Sequence, residues 1–226
     1  MRSKKQLLLA ISICFSLISF SQDEDDLFAM LEDEEEQVSE PVFATFKTTR
    51  LINIYTNETL GKGDLDFRID HRFGNLSEGY QSLYGFDNIA DMRLAFEYGI
   101  SKKLMVGLGR SKGGFMDGFI KYKALEQTSD NKMPIAITLF ANTGIEINDG
   151  DYIEFSHRVN YAYQAIFARK QGDFSFVLSP TLVHRNVVFE NDDNDLLALG
   201  VGVRYAFTKS SSVIVDYFQN FDQLRK

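Results

Sequence analysis

The chain has 226 residues, of which 24 are basic and 32 acidic, and its formal net charge is −8 at pH 7. Ten of the acidic residues lie between Asp23 and Glu40, where no Lys or Arg occurs, and from Pro41 onward there are 21 basic and 22 acidic residues. No basic face remains to neutralise phosphates, which argues against a nucleic-acid partner, and a single cysteine leaves no internal disulfide.

The N-terminal segment predicts export. Three basic residues within the first five positions precede an apolar stretch from Leu7 to Phe20, which is short compared with the about 20 residues of a spanning helix. Ser19 and Ser21 are the small residues expected at positions −3 and −1 of a cleavage site before Gln22. Residues 1–21 are therefore predicted to be a cleaved signal peptide, and an uncleaved anchor is the less favoured alternative.

Residues 22–45 are predicted to be a flexible acidic leader, because a run of like charges with few apolar residues does not form a packed core. Leu27, Phe28, Met30 and Leu31 interrupt the run. The composition favours a solvated linker. One helical turn or a short docking motif is the alternative.

From about Phe46 the pattern of side chains changes to a two-residue repeat. In Asp64–Phe73, apolar side chains alternate with charged ones, and a two-residue period separates the two sets onto two faces only in an extended strand. The same alternation predicts nine strands, and a tenth fits Phe46–Tyr55. The nine predicted strands are 64–73, 91–100, 104–110, 115–126, 135–142, 158–167, 174–182, 197–207 and 212–221.

Alternation alone does not say which face meets water. A soluble sandwich or lipocalin-like barrel buries the apolar row, whereas a membrane barrel turns it toward lipid. Three features favour the membrane: several strands reach the about 9–11 residues that cross a bilayer at a tilt, the polar row mixes charges with Gly, Ala and Ser as a narrow lumen requires, and aromatic residues lie near strand ends, where an interfacial girdle is expected. These aromatic residues are Phe73, Tyr98, Tyr122, Tyr205, Phe207 and Tyr217.

The predicted fold is therefore an all-β, antiparallel, transmembrane up-and-down β-barrel at residues 46–226. Nine strands cannot close antiparallel, because the first and the last run in the same direction. We expect about 10–12 strands in the full-length protein and a domain that is incomplete at its C-terminus. A soluble secreted β-barrel or sandwich that binds an apolar ligand is the alternative.

The connections between predicted strands differ in length, which predicts orientation, because short turns of such barrels face the periplasm and long loops face outward. The tight connections are 101–103, 170–172 and 208–211, and the longer ones are 74–90, 145–154 and 186–194.

Two groups of segments resemble a known family. The first is Phe46–Asn53 followed by Lys62–Gly74, and the second is Tyr84–Asp87 followed by Met92–Ile100 and Leu104–Ser111. They resemble a Bacteroidota-type outer-membrane β-barrel family catalogued as a domain of unknown function, numbered five-seven-seven-seven. The first group is the specific one, whereas the second is common to many barrels. The resemblance implies an outer-membrane location, a barrel fold and a longer chain, but no activity.

A row of charged residues is the leading candidate for a lumen site: Arg68, Asp70, Arg72, Arg93 and Glu97. Rings of charge in a narrow pore select solutes, so these residues could form the constriction of a porin-like channel. The interior of a small barrel is also largely filled by side chains. Because the signs alternate closely, we favour mutual pairing that fills the lumen.

Sites for metals and cofactors are not predicted. The three histidines are scattered and lack zinc-ligand spacing. The Asn/Asp-rich stretches at 148–151 and 191–195 do not complete a calcium loop and are ordinary turn sequences.

Catalysis is not predicted either. Ser156 and His157 are adjacent in sequence, which would point them to opposite faces of a strand, and no other nucleophile with a base is evident. The functional prediction is a barrel in the bacterial outer membrane that is either a narrow channel or a structural barrel with ligand-binding loops. Its expected partners are membrane lipid and the outer-membrane assembly machinery, and the solute or ligand is unknown.

Overall fold

The structure is a computed structural model, and the residues it describes are 39–147, 154–188 and 192–221. The predicted signal peptide, most of the predicted acidic leader and the stretch Asn148–Asp151 lie outside the described residues.

The described residues form one nine-stranded antiparallel sheet, in which each strand pairs with the next strand along the chain. The all-β, up-and-down fold predicted from alternation is therefore confirmed. The strands are β1 (Leu65–Phe73), β2 (Ile89–Ser101), β3 (Leu104–Ser111), β4 (Phe115–Leu125), β5 (Ala136–Glu146), β6 (Val159–Gln171), β7 (Phe174–Arg185), β8 (Asp195–Ala206) and β9 (Ser212–Asn220). Short 3₁₀ helices occur at Leu76–Glu78, Tyr80–Ser82 and Phe155–Arg158, and no helix in the described ranges is long and apolar enough to span a membrane.

The register of the sheet keeps apolar side chains on one face. On β1 and β2, Phe67 lies opposite Phe96 with the ring centroids 4.9 Å apart, and Arg68 lies opposite Ala95. Because side chains alternate between faces, a register set by one such pair fixes the face of every other residue in both strands.

The apolar face points outward. Leu65, Phe67 and Ile69 expose 65%, 52% and 58% of their surface, whereas Ala95 and Glu97 on the opposite face of the sheet are fully buried. This arrangement is the one predicted for a membrane barrel and the reverse of a soluble barrel, which would bury its apolar row.

The sheet is open between its two edge strands. Among the described residues, β1 pairs with β2 alone and β9 with β8 alone. The two edge strands run in the same direction because seven strands lie between them. The predicted total of about 10–12 strands stays a prediction.

The tenth strand predicted at Phe46–Tyr55 is wrong. This segment forms a small hairpin on the inner face of the sheet, with a bridge between Arg50 and Tyr55. Threonine hydroxyls explain the difference, because they bond the local backbone and compete with a sheet ladder: Thr48 donates to the carbonyl oxygen of Arg50, and Thr56 donates to that of Thr48.

Successive strands are connected at the two ends of the sheet. We call the end with the β2–β3, β6–β7 and β8–β9 connections the turn end, and the opposite end the loop end. The predicted alternation of connection lengths has two exceptions. The β3–β4 connection at the loop end has three residues, 112–114, whereas the β4–β5 connection at the turn end spans 126–135. Which end faces the periplasm stays a prediction.

Candidate functional site: the lumen and its inserted hairpin

Residues 45–58, the lumen hairpin, fill the space that the sheet surrounds. The backbone N–H of Leu51 donates to the carbonyl oxygen of Ile54 (2.8 Å), and that of Thr56 donates to Thr49 (3.1 Å). At the base, the backbone N–H of Phe46 donates to the Glu58 carboxylate (3.2 Å). These bonds, with the bridge between Arg50 and Tyr55, make the segment a compact unit with its tip at residues 50–55.

Both legs of the lumen hairpin begin at the turn end of the sheet. Before the hairpin, the backbone N–H of Val42 donates to Gln127 in the β4–β5 connection (2.7 Å), and Lys170 reaches the carbonyl oxygen of Phe43 (3.1 Å). After the hairpin, the Thr59 hydroxyl donates to the carbonyl oxygen of Lys102 in the β2–β3 turn (2.8 Å). The hairpin therefore enters and leaves the lumen at the same end.

A charged network covers the inner face of β1, β2 and β4. Asp70 accepts from Arg93 (3.1 Å) and from Arg50 of the hairpin (2.8 Å), and Arg93 also donates from Nε to Asp117 (2.7 Å). Arg68 pairs with Asp66 (2.9 Å). In this half-buried network each arginine has a carboxylate partner, which is how charges inside a narrow interior are accommodated.

Four of the five predicted lumen residues face this interior. Arg68, Asp70 and Arg93 are within the charged network, and Glu97 is fully buried next to the hairpin, where its carboxylate accepts from the Thr49 hydroxyl (3.2 Å). Arg72 is exposed beyond the network, toward the loop end of β1. The structure thus places the predicted row against the hairpin rather than around an open passage.

Lys121 is a lumen residue that the sequence analysis missed, together with Asp117 and Asp216. Its side chain is fully buried, and its Nζ donates to the carbonyl oxygens of Thr49 (3.0 Å) and Glu58 (2.6 Å). The same ammonium lies 5.5 Å from the centre of the Tyr55 ring, within range of a cation–π contact. The available signal was the two-residue period of β4, which places Lys121 on the inner face together with Asp117.

The tip of the lumen hairpin is held by both edge strands. On one side Arg50 bonds Asp70 of β1, and on the other Asp216 of β9 accepts from the backbone N–H groups of Asn53 (2.6 Å) and Ile54 (3.3 Å). A carboxylate that accepts backbone N–H groups makes a charge-assisted bond, about twice as strong as a neutral one. The tip therefore bridges the two strands at which the sheet is open.

The other side of the lumen is apolar. Tyr55 packs between Phe140 (ring centroids 4.3 Å apart) and Phe119 (5.3 Å) on the inner faces of β5 and β4. Phe46 and Ile54 of the hairpin are also fully buried in this cluster. Burial of each such side chain contributes about 1.5–3 kcal/mol, so the apolar contacts anchor the hairpin as much as the polar ones do.

Small residues on β8 make room for the tip. A Cβ atom added at Gly202 would lie 2.6 Å from Cδ1 of Leu51, and one added at Gly200 would lie 3.1 Å from Cδ1 of Ile54. Both glycines face inward. The close approach of the hairpin to β8 therefore depends on the missing side chains.

The interface between the lumen hairpin and the inner face of the sheet, which we call the wall, is not fully hydrogen-bonded. Buried atoms without a hydrogen-bond partner include Nε of Arg50 and Oδ1 of Asn57 on the hairpin, and Oε1 of Glu97 on β2. A buried polar atom without a partner costs about 1–3 kcal/mol. The hairpin is therefore bound less strongly than it would be by a fully hydrogen-bonded interface of the same size.

The histidines and the serine considered in the sequence analysis do not form a site. His71 packs against Phe73 (ring centroids 4.5 Å apart) and His184 pairs with Asp195 (2.7 Å). Ser156 and His157 lie in a 3₁₀ helix. Over residues 39–147, 154–188 and 192–221, no group of three potential metal ligands is found.

Comparison with known families gives one match. A family model described as a membrane bound beta barrel domain (DUF5777) matches residues 46–226, a range that contains all nine strands and all of the lumen hairpin except Thr45. This is the family that the two sequence segments predicted. No curated protein and no solved structure matches the chain.

Proposed function

The chain belongs to this family of membrane-bound β-barrel domains, and we propose on that premise that it is a bacterial outer-membrane barrel whose lumen is closed at rest. Strands of 8 to 13 residues and an outward apolar row support a position across a bilayer. The predicted signal peptide supports export. Insertion by the outer-membrane assembly machinery and contact with membrane lipid belong to the same proposal.

The observation that carries the proposal is the lumen hairpin. Its tip contacts Asp70 of β1 and Asp216 of β9, so it crosses the interior from one edge strand to the other. Tyr55 fills the apolar side against Phe119 and Phe140. A lumen occupied in this way does not offer the continuous water-filled passage of a porin.

A closed lumen favours a structural barrel whose exposed loops bind a partner. The β1–β2 connection at the loop end exposes four large apolar side chains by 55% or more: Tyr80, Leu83, Tyr84 and Phe86. Exposed apolar groups concentrated in one loop are typical of a contact surface. The proposal assigns the barrel no catalytic role and no cofactor.

The alternative, a soluble β-protein with an apolar ligand inside, is not favoured. Its interior would have to be apolar and its outer row polar, whereas Arg93 and Asp117 face inward and Ile69 faces outward.

Electrical recording tests the proposal. The purified protein, reconstituted in a planar lipid bilayer, should give no steady current over a wide voltage range, and its incorporation is checked in parallel by protease protection in vesicles of the same lipid. A stable open conductance from correctly inserted protein would show that the lumen is not closed at rest.

A further inference from the structure

The structure points to a second state of the barrel. We propose that the lumen hairpin is a gate that withdraws toward the turn end and opens a conduit for small hydrophilic solutes. This inference rests on the proposed function, because a gate has meaning only in a barrel that is closed at rest.

The path of the chain permits withdrawal. The leg before the hairpin is held at the turn end by Gln127 and Lys170, and the leg after it is held there by Lys102. Because both legs start at the same end, the hairpin can leave the lumen as a loop, and no chain end has to pass through the barrel. A segment that crossed from one end to the other could not move in this way.

The bonds between the hairpin and the wall are of a kind that can be released. In the described part of the chain, no backbone–backbone hydrogen bond joins residues 45–58 to a strand. The hairpin is instead held through wall side chains. Lys121, Asp216 and Asp70 make the polar contacts, and Phe119 and Phe140 make the apolar ones with Tyr55. The polar contacts can be exchanged for water without breaking a strand ladder.

The unpartnered buried atoms lower the cost further. Glu97 is fully buried, yet its Oε1 has no hydrogen-bond partner, and the same holds for Nε of Arg50 and Oδ1 of Asn57. Water that enters as the hairpin leaves can bond all three atoms. The closed state therefore carries a penalty that opening removes.

The wall that the hairpin would leave behind is already suited to a polar passage. Arg93 bonds both Asp70 and Asp117 without any contribution from the hairpin, so these charges stay paired after withdrawal. A constriction lined by paired charges of both signs admits small hydrophilic solutes and excludes apolar ones.

Removal of the tip contact tests the gate. The variant Asp216→Ala deprives the N–H groups of Asn53 and Ile54 of their acceptor, and we expect the fraction of time spent open in a planar bilayer to rise about tenfold or more. The matched control is Gln219→Ala, a change on the outward side of the same strand, which should stay closed like the unchanged protein.

A reversible lock separates gating from a damaged barrel. A Cβ atom at Gly202 would lie 2.6 Å from Cδ1 of Leu51, and Leu51→Cys removes that methyl group. Leu51→Cys and Gly202→Cys would therefore place two cysteines near the about 3.5–4.5 Å between Cβ atoms that a disulfide requires. The chain's own cysteine, Cys14, lies in the predicted signal peptide. With Asp216→Ala in the same chain, oxidation should abolish the openings and a reductant should restore them, while mass spectrometry confirms the bond.

Two results would overturn the gate: openings of Asp216→Ala no more frequent than those of Gln219→Ala, or openings that persist once the disulfide has formed. A steady current from the unchanged protein is a different outcome and would contradict the proposed closed state. If the lock stopped that current, the hairpin would still control the lumen. The two proposals therefore fail in distinguishable ways.

Discussion

Lys121 on β4 donates a hydrogen bond to the backbone carbonyl oxygen of Thr49 at 3.0 Å, inside the sheet and away from water. The two residues are separated by 72 positions in the chain. A buried ammonium is costly unless its N–H groups have hydrogen-bond acceptors and its charge is compensated. Here the lumen hairpin provides the acceptors. Wall and hairpin thus depend on each other.

Replacement of Lys121 by Met should therefore destabilise the barrel. The carbonyl oxygen of Glu58 would lose the Lys121 donor, and that of Thr49 would keep only the backbone N–H of Thr56. We expect the free energy of unfolding to fall by about 2–4 kcal/mol. Urea unfolding in lipid vesicles measures it. Lys102→Met, at an exposed lysine of the β2–β3 turn, is the control, and equal midpoints for the two variants would contradict the role of Lys121.

Charge on the outer face should oppose membrane insertion. Ile69 lies in the middle of β1 and is 58% exposed on the apolar face. The variant Ile69→Arg would place a guanidinium against acyl chains, at a cost of about 2–4 kcal/mol near the midplane. Folding yield into vesicles reports this cost. Leu83→Arg, in the exposed β1–β2 connection, should fold like the unchanged protein, and an equal yield for Ile69→Arg would argue against a lipid-facing row.

Gly99 of β2 should not accept a side chain. A Cβ atom there would lie 1.9 Å from the backbone carbonyl oxygen of Gly61, so the chain leading into β1 would have to shift. We expect Gly99→Ala to lower the free energy of unfolding by about 1–3 kcal/mol. The control is Gly118→Ala on the outer face, where the nearest atom is a Leu108 methyl group at 3.1 Å. Similar losses for both variants would disprove the close approach.

The outer edges of β1 and β9 should be covered in the membrane. Each strand pairs with a single neighbour among the described residues, and an unpaired backbone group in hydrocarbon costs several kcal/mol. Hydrogen exchange in outer-membrane vesicles should therefore be about as slow for both strands as for β5. Amides of the β1–β2 connection serve as the fast-exchanging reference, and similarly fast exchange in β1 and β9 would mean that these edges meet water.

Acid should loosen the β4–β5 connection. The Thr128 hydroxyl (2.6 Å) and the Lys132 N–H (3.1 Å) donate to the carboxylate of Asp130 and hold its pKa at about 2, below the ordinary 3.8. Because the folded-state pKa is lowered, the stabilisation is present above the ordinary pKa and is lost as the pH falls through the folded one.

Pepsin cleavage of this connection, followed from about pH 4 to about pH 2, measures the transition. The variant Thr128→Ala should raise the pKa of Asp130, so that cleavage begins at a higher pH than in the unchanged protein. Ser129→Ala is the control. An unchanged profile for Thr128→Ala would show that its hydroxyl does not stabilise the carboxylate.

The local alternation of apolar and polar residues was enough to predict the strands and the directions of their side chains. The alternation in β1 identified Leu65, Phe67 and Ile69 as one face and Arg68 and Asp70 as the other, because neighbouring side chains of a strand must point to opposite sides. The same rule brought Arg93 and Glu97 to the inner face without knowledge of any contact.

Local pattern failed at the lumen hairpin. Residues 46–55 carry a weak two-residue repeat, but Thr48 and Thr56 bond the local backbone, and the segment folds on itself instead of joining the sheet. The role of Asp216 could not be predicted from local sequence either, because its contact with Asn53 joins residues 163 positions apart.

What the sequence by itself determined is a set of strands with one apolar and one polar face, since that information is contained in residues two positions apart. What only the tertiary structure decided is what occupies the interior. The sheet curls around the segment that precedes it in the chain, and this brings the hairpin into contact with Lys121 and Asp216. No short stretch of sequence contains the information for these contacts.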